Sequence, residues 1–176
     1  MRQTEFEKDL VQYAGQNTKG LEKFYHRWKE DAELIQRCVA CVGDPDLEAA
    51  ATWLLKYFLE SRRDLDESQQ RLILSCLNEV KCWQGRLHLL QMLDELLIPE
   101  DLQESVAKFC EESTFDDNKF VRAWGYSGIV SLAKQWDRYV PLAIEAITNG
   151  ENDDAPSARA RVRRIRQTIP EHWHTL

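Results

Sequence analysis

The sequence predicts an all-α protein built as an α–α superhelix. Apolar residues recur at steps of three and four along nearly the whole chain, which is the pattern of helices that bury one face. Strands are not predicted, because no alternating apolar run is bounded by turn residues. Arg86, Arg122 and Arg159 are each followed by apolar residues at similar offsets, and they stand 36 and 37 residues apart. A period in the upper thirties is typical of stacked helix pairs.

Length and composition agree with one helical domain. The chain has 176 residues, of which 43% are hydrophobic, so it can bury a core and is not a disordered chain. Its net charge of −7 speaks against a general nucleic-acid binder. The charged N-terminus (Met1–Asp9) and the lack of a long uncharged apolar stretch predict neither a signal peptide nor a membrane span. We therefore expect a cytoplasmic protein whose five cysteines are free thiols.

In the first half of the chain, breaker residues separate short helices. Gly43-Asp44-Pro45-Asp46 are expected to end one helix and to begin the next. The helix from Leu47 to Leu59 is apolar nearly all round, so we expect it to be buried on both sides. The side chains predicted to cover it are Leu21, Phe24, Tyr25 and Trp28. A polar break over Arg62–Asp66 precedes the following helix.

The second half of the chain continues the same pattern. One apolar stripe consists of Leu87, Leu90, Leu93, Leu96 and Leu97, and another of Val121, Gly125, Ile129 and Leu132. Pro99 fits the first turn of a helix that runs to about Glu112, and Asp116-Asp117-Asn118 cap the next helix.

Toward the C-terminus the breakers predict two more helices. Trp136-Asp137 precede a helix that runs to Ile147, and Asn149–Asp154 form the longest loop signal. Pro156 then opens a last helix that stops near Pro170. The whole chain is expected to hold about nine or ten helices joined by short connections, which makes neighbouring helices antiparallel.

Three segments resemble the turn and second-helix start of a HEAT repeat. They are Asp44-Pro45-Asp46-Leu47-Glu48-Ala49-Ala50-Ala51, Asp116-Asp117-Asn118-Lys119-Phe120-Val121-Arg122-Ala123-Trp124 and Ala155-Pro156-Ser157-Ala158-Arg159-Ala160-Arg161. The resemblance covers residues 31–170, about four helix pairs, after an N-terminal helical cap over residues 1–30 and before a C-terminal tail over 171–176. The turn before Gly85-Arg86 lacks the Asp of the pattern.

The resemblance implies roles for the arginines and for the second helix of each pair. In HEAT repeats the Asp of the turn and the Arg of the Val-Arg pair link neighbouring repeats, so we expect Arg122 to bond a nearby Asp. The second helices line the concave surface, which is the surface that solenoids use for binding.

An arginine track is expected to cross that surface, with aromatic residues beside it. With Val121, Gly125 and Leu132 facing inward, a rotation of about 100° per residue turns Arg122 and Tyr126 outward. The binding candidates on the outward face are Trp83, Arg86, Lys119, Arg122, Tyr126, Arg159 and Arg163. Arginine and aromatic residues are favoured anchors in interfaces. The alternative is that these side chains are solvated or link the repeats to one another.

Positive charge is concentrated at the C-terminal end. Residues 155–176 hold five Arg and one Glu, a net charge of +4, so the remaining residues carry −11. The five arginines, Arg159, Arg161, Arg163, Arg164 and Arg166, could dock a phosphate, a nucleic acid or an acidic protein segment. We favour the alternative that they pair with the acidic remainder of the chain.

No motif nominates catalytic residues, a metal site or a cofactor. Cys38-x-x-Cys41 lies in a helical run and is expected to be buried rather than to bind metal. His88 is expected to be half-buried packing, and His172-x-His174 is too short to hold a metal alone. Nucleotide-binding loops and hydrolase motifs do not occur.

Two functions of different class follow. The first is a non-catalytic scaffold whose concave face binds a protein or peptide partner, for which the arginines favour an acidic one. The second is a DNA-binding or base-excision protein that resembles the HEAT-like alkylpurine DNA glycosylases. That family places Trp, Arg and Asp residues around damaged DNA, and the residues that match these types only loosely here are Trp83, Trp124, Arg122 and Asp94. The chain is also acidic, whereas the concave face of that family is basic.

Overall fold

A computed structural model of the protein describes residues 4–14, 17–61 and 64–175. None of these residues lies in a strand, so the predicted all-α class is confirmed. The α-helices are α1 (Glu5–Ala14), α2 (Thr18–Trp28), α3 (Leu34–Ala40), α4 (Glu48–Glu60), α5 (Glu67–Ser75), α6 (Trp83–Met92), α7 (Gln103–Ser113), α8 (Lys119–Gln135), α9 (Val140–Glu151) and α10 (Pro156–Arg166). Short 3₁₀ helices cover Leu77–Glu79, Glu100–Leu102, Asp137–Tyr139 and Glu171–Thr175. Every helix among these residues is too short or too polar to span a membrane.

The chain divides into two compact units within α6. The first unit is Met1–Leu89 and the second is Leu90–Leu176.

In the first unit, α1 and α2 pack on each other through aromatic rings. The Phe6 ring lies 5.1 Å from that of Phe24 and 5.3 Å from that of Trp28, in edge-to-face geometry. On α2, Tyr25 contacts α4, with 5.0 Å between its ring and that of Tyr57. α1, α2 and α3 all pack against α4, which confirms that the N-terminal helices help to cover this apolar helix.

In the second unit, α8 is the central helix. It packs against α7, α9 and α10, and most of its residues are buried. A Cβ at Gly125 would stand 2.9 Å from the Thr114 nitrogen, and one at Gly128 would stand 2.6 Å from Cys110 Sγ. Gly125 therefore lets the backbone of α7 approach α8 closely, and Gly128 makes room for the Cys110 side chain.

Several predicted helix boundaries are confirmed. Gly43 has a φ of 89°, a left-handed conformation that favours glycine in the turn before α4. Asp66 caps α5 by accepting a hydrogen bond from the Gln69 backbone N–H, whereas Arg62 and Arg63 of the same predicted break lie outside the described residues, as do Met1–Gln3 and Leu176. Asn118 caps α8, and Pro156 opens α10.

Two predicted boundaries are wrong. The leucine stripe does not form one helix to Leu97, because α6 ends at Met92 and the Leu97 side chain is 70% exposed. The loop predicted from Asn149 begins only at Asn152, since α9 continues through Gly150. A Cβ at Gly150 would lie 2.5 Å from Val162 Cγ2, so this glycine serves close packing inside a helix rather than a turn.

Candidate functional site

The seven predicted binding residues fall in both units. Trp83 and Arg86 lie on α6 in the first unit, where the Trp83 side chain is 45% exposed and Arg86 is partly buried. Lys119, Arg122, Tyr126, Arg159 and Arg163 belong to α8 and α10 in the second unit. Of these five, Lys119 and Arg163 are exposed.

Arg122 bonds the loop that precedes α10. Its Nε lies 3.0 Å from Asp153 Oδ2 and its Nη2 lies 3.1 Å from Asp153 Oδ1, so the pair is bidentate. Nη2 also donates to the carboxylate of Asp154. The expectation that Arg122 bonds a nearby Asp is confirmed.

Asp153 is the buried centre of this cluster, and its side chain is only 3% exposed. Burial alone would raise the pKa of Asp153. Hydrogen bonds from Arg122, the Ala155 backbone N–H and the Tyr126 hydroxyl outweigh it and lower the pKa to about 2. Asp153 is therefore ionised at neutral pH and holds three parts of the unit together.

The predicted outward orientation of Tyr126 is wrong. Its ring is buried against Gly150 of α9, and its hydroxyl donates to Asp153 Oδ2 over 3.1 Å. Burial, together with this hydrogen bond, raises the pKa of Tyr126 to about 12. Val130, one helical turn after Tyr126, is buried as well. The reason is that α9 and α10 cover the side of α8 that was expected to face solvent.

The turn geometry before α8 recurs before α10. Asp116 accepts from the N–H of Asn118 and Asp153 accepts from the N–H of Ala155, each over 2.8 Å. Arg122 donates to the carbonyls of Asp116 and Asp117, and Arg159 donates to those of Asp153 and Asp154. The recurrence in sequence is thus also a recurrence in hydrogen bonding.

At the turn that lacks the aspartate, Glu48 supplies the carboxylate. Asp44 accepts from the N–H two residues later, as Asp116 and Asp153 do, but the corresponding position in the turn before α6 is Val80. There the buried Glu48 accepts from the N–H groups of Lys81 and Cys82 through Oε1, and from the N–H of Gly43 through Oε2. Burial opposes ionisation of Glu48, yet these hydrogen bonds lower its pKa.

The arginines of α10 divide into two groups. Arg159 bonds backbone carbonyls, Arg161 stacks on Trp124, and Arg166 donates to the carboxylate of Glu151. Arg163 and Arg164 are exposed. Intramolecular pairing therefore accounts for part of the positive C-terminal segment.

A groove of about 230 Å³ lies between α8 and α10. The side chains that line it are Asp94, Ser127, Val130, Lys134, Arg161, Arg164, Ile165 and Thr168. Three of these are cations and one is an anion, so the lining carries a net positive charge in a chain of net charge −7.

Arg161 lines this groove and packs on α8. The central guanidinium carbon stands 3.5 Å from the centroid of the Trp124 ring, and Nη2 donates to Ser127 Oγ over 3.0 Å. Its Nε is buried and has no hydrogen-bond partner among the described residues. Burial lowers the pKa of Arg161 and so disfavours its charged form, which an anion in the groove would stabilise.

Two further polar groups of the groove, Asp94 and Lys134, have hydrogen-bond partners. Asp94 accepts a hydrogen bond from Ser131 Oγ, and Lys134 Nζ donates to Thr168 Oγ1 over 3.1 Å. Val130 and Ile165 supply apolar surface between them.

Of the residues that line the groove, Asp94, Arg161 and Arg164 were named from the sequence, but Ser127, Lys134 and Thr168 were not. A usable signal was present, because the polar side chains follow helical spacing on two helices. They are Ser127, Ser131 and Lys134 on α8, and Arg161 and Arg164 on α10, with Thr168 two residues after the end of α10. A polar stripe along an otherwise apolar helix indicates a face that borders solvent or a polar groove.

A second cavity lies at the N-terminal ends of α8 and α10. It measures about 400 Å³, and Lys119, Phe120, Arg122 and Asp154 contribute to its lining. Arg122 and Asp154 bond each other there, and Lys119 is the other basic residue of the lining.

The cysteine and histidine side chains that could bind a metal or transfer a proton are either buried or far from one another. Among the described residues, no three His, Cys, Asp or Glu side chains stand close enough to hold a metal ion. Cys38 and Cys41 are buried as predicted, and burial raises the pKa of both thiols, that of Cys41 to about 11. His88 lies with its Nδ1 3.0 Å from Thr52 Oγ1, and burial lowers its pKa to about 4. The side chain of His174 lies outside the described residues.

Comparison of the chain with protein-family models, with curated proteins and with solved structures finds no match.

Proposed function

We propose that this protein is a non-catalytic, HEAT-like protein-binding module, and that the groove between α8 and α10 binds an acidic segment of a partner protein. The observation that carries this proposal is the lining of the groove, where Lys134, Arg161 and Arg164 face only one carboxylate, that of Asp94. The charge of the groove is opposite to that of the chain as a whole.

The chemistry of Arg161 supports a carboxylate as the bound group. A guanidinium presents several N–H donors in a planar fork that matches a carboxylate. Stacking on Trp124 holds the Arg161 plane, and its buried Nε has no acceptor among the described residues. A Glu or Asp side chain in the groove would bring a negative charge close to the guanidinium and would stabilise the charged form of Arg161.

The repeated turn geometry supports the solenoid part of the proposal. Asp116 with Arg122, and Asp153 with Arg159, form the same set of hydrogen bonds 37 residues apart. Each set stands before a helix that the resemblance to HEAT repeats assigns to the concave surface. In the proposed solenoid, the groove between α8 and α10 would lie between two helices of that surface.

Fluorescence anisotropy with a fluorescein-labelled hexaglutamate peptide tests the proposal, with hexaglutamine as the uncharged probe. We expect hexaglutamate to bind at low salt, and Arg164→Ala to weaken binding about fivefold or more because it removes a charge-assisted contact. The matched control is Arg163→Ala, which removes the same charge from the adjacent exposed residue outside the groove lining. It should change the affinity by less than about twofold.

Two results would count against an acidic protein segment as the ligand. An equal loss of peptide affinity in Arg163→Ala and Arg164→Ala would show that binding depends only on the overall charge of α10. Binding of duplex DNA in a gel-shift assay, with affinity that falls steeply as salt rises, would instead favour the DNA-binding alternative.

A further inference from the structure

A third cavity, between α7 and α9, has chemistry opposite to that of the groove. It measures about 90 Å³. Ile129, Leu142 and Ala146 contribute apolar surface to it, and Glu111 and Glu145 bring two exposed carboxylates to the same cavity. None of the residues that line it is basic.

Phe115 also lines this cavity, and it is the most exposed large apolar side chain of the described residues, at 85%. It stands in the turn between α7 and α8, where packing within the chain leaves its ring in solvent. A phenylalanine ring attracts a cation to its face, and the attraction strengthens when water is excluded. The cavity thus combines an apolar interior, an aromatic ring and two negative charges.

We propose that this cavity binds the side chain of a basic residue, Lys or Arg, from a partner polypeptide. Lysine and arginine have an apolar stem and a charged head, and they bury the stem against apolar surface while the head stays at the rim. Here the stem would lie on Ile129 and Ala146. The cation would then lie against Phe115 and between the carboxylates of Glu111 and Glu145.

The charge of the cavity decides the choice of occupant. A purely apolar side chain would fill the interior but would leave both carboxylates without a cation, and an acidic side chain would be repelled by them. A basic side chain fits both the apolar interior and the two carboxylates. The inference is independent of the acidic-segment groove, because the two cavities share no lining residue.

The probe for the test is a fluorescein-labelled peptide, Gly-Ser-Arg-Ser-Gly-Arg-Ser-Gly, measured by fluorescence anisotropy at low salt. Its counterpart with Gln at both Arg positions reports binding that does not need the cation. We expect the Arg peptide to bind more tightly than the Gln peptide. Phe115→Ala should weaken its binding about threefold or more without changing the charge of the protein.

Removal of the two carboxylates should weaken binding of the Arg peptide more than Phe115→Ala does. The double variant Glu111→Gln/Glu145→Gln is expected to weaken binding about tenfold. The matched control, Glu100→Gln/Glu104→Gln, removes two exposed carboxylates that do not line the cavity, and it should change the affinity by less than about twofold. Circular dichroism checks that each variant retains its helix content.

Three results would overturn the proposal. They are equal binding of the Arg and Gln peptides or no binding of either, unchanged affinity in Phe115→Ala, and a control variant that loses as much affinity as Glu111→Gln/Glu145→Gln. The last result would show that the peptide responds only to the acidic charge of the chain.

Discussion

At the scale of single residues, Asp153 links three parts of the second unit. It joins the Arg122 side chain, the Tyr126 hydroxyl and the backbone at Ala155, and it is almost completely buried. Asp154, the next residue, bonds the same arginine from an exposed position, since its side chain is 89% exposed. Asp153 and Asp154 thus bond the same arginine but differ in burial, so each serves as the control for the other.

We predict that Asp153→Ala lowers the free energy of unfolding by about 3–5 kcal/mol, because it leaves Arg122 partly buried without its main partner. Asp154→Ala should cost less than about 1 kcal/mol, since an exposed ion pair is screened by water. Urea unfolding followed by circular dichroism measures both. Similar losses for the two variants would mean that burial does not decide the strength of the Arg122 contacts.

At the scale of helices, the close packing of α7 on α8 depends on two glycines that meet different atoms. A Cβ at Gly125 would meet backbone atoms of Ser113 and Thr114, which cannot move independently of α7. A Cβ at Gly128 would meet the ends of two side chains, Cys110 and Leu93. A neighbouring substitution can therefore relieve the second clash but not the first.

We predict that Gly125→Ala and Gly128→Ala each lower the free energy of unfolding by about 1–3 kcal/mol through overpacking, although alanine is the better helix former. Combining Gly128→Ala with Cys110→Ala should recover about 1 kcal/mol relative to the sum of the two single changes, because the added methyl fills the space left by Sγ. A double-mutant cycle by urea unfolding measures this coupling. The same cycle with Gly125→Ala in place of Gly128→Ala is expected to show no coupling energy. A coupling energy of equal size would contradict the assignment of the Gly125 clash to backbone atoms.

At the scale of the whole molecule, each unit contains a buried titratable group whose shifted pKa makes the stability of the fold depend on pH. In the first unit, burial lowers the pKa of His88 to about 4, so its stabilising contribution is complete above its ordinary value of 6.5 and is lost as the pH falls toward 4. In the second unit, Asp153 has a pKa lowered to about 2, so its contribution is present above 3.8 and is lost only as the pH falls toward 2.

We therefore predict that mild acid weakens the first unit before the second. Between pH 7 and pH 5 the contribution of His88 should fall by about 2 kcal/mol, while that of Asp153 stays constant. Amide-exchange protection factors, which correct for the slower intrinsic exchange in acid, should fall from pH 7 to pH 5 more in α4, which contacts His88 through Thr52, than in α8. In His88→Gln the difference between the helices should no longer depend on pH, and an unchanged pH dependence in that variant would contradict the prediction.

The sequence alone determined the helical class, most of the breaks between helices and the bond between Arg122 and an aspartate. Periodicity and breaker residues are local, so they were readable around Gly43, Asn118 and Pro156. The tertiary structure alone decided that Tyr126 points inward, that Gly150 belongs to a helix and that Arg161 rather than Arg163 lines a groove. The physical reason is that periodicity shows which face of a helix is apolar but not how many neighbours cover it, and α8 is covered by α7, α9 and α10 together.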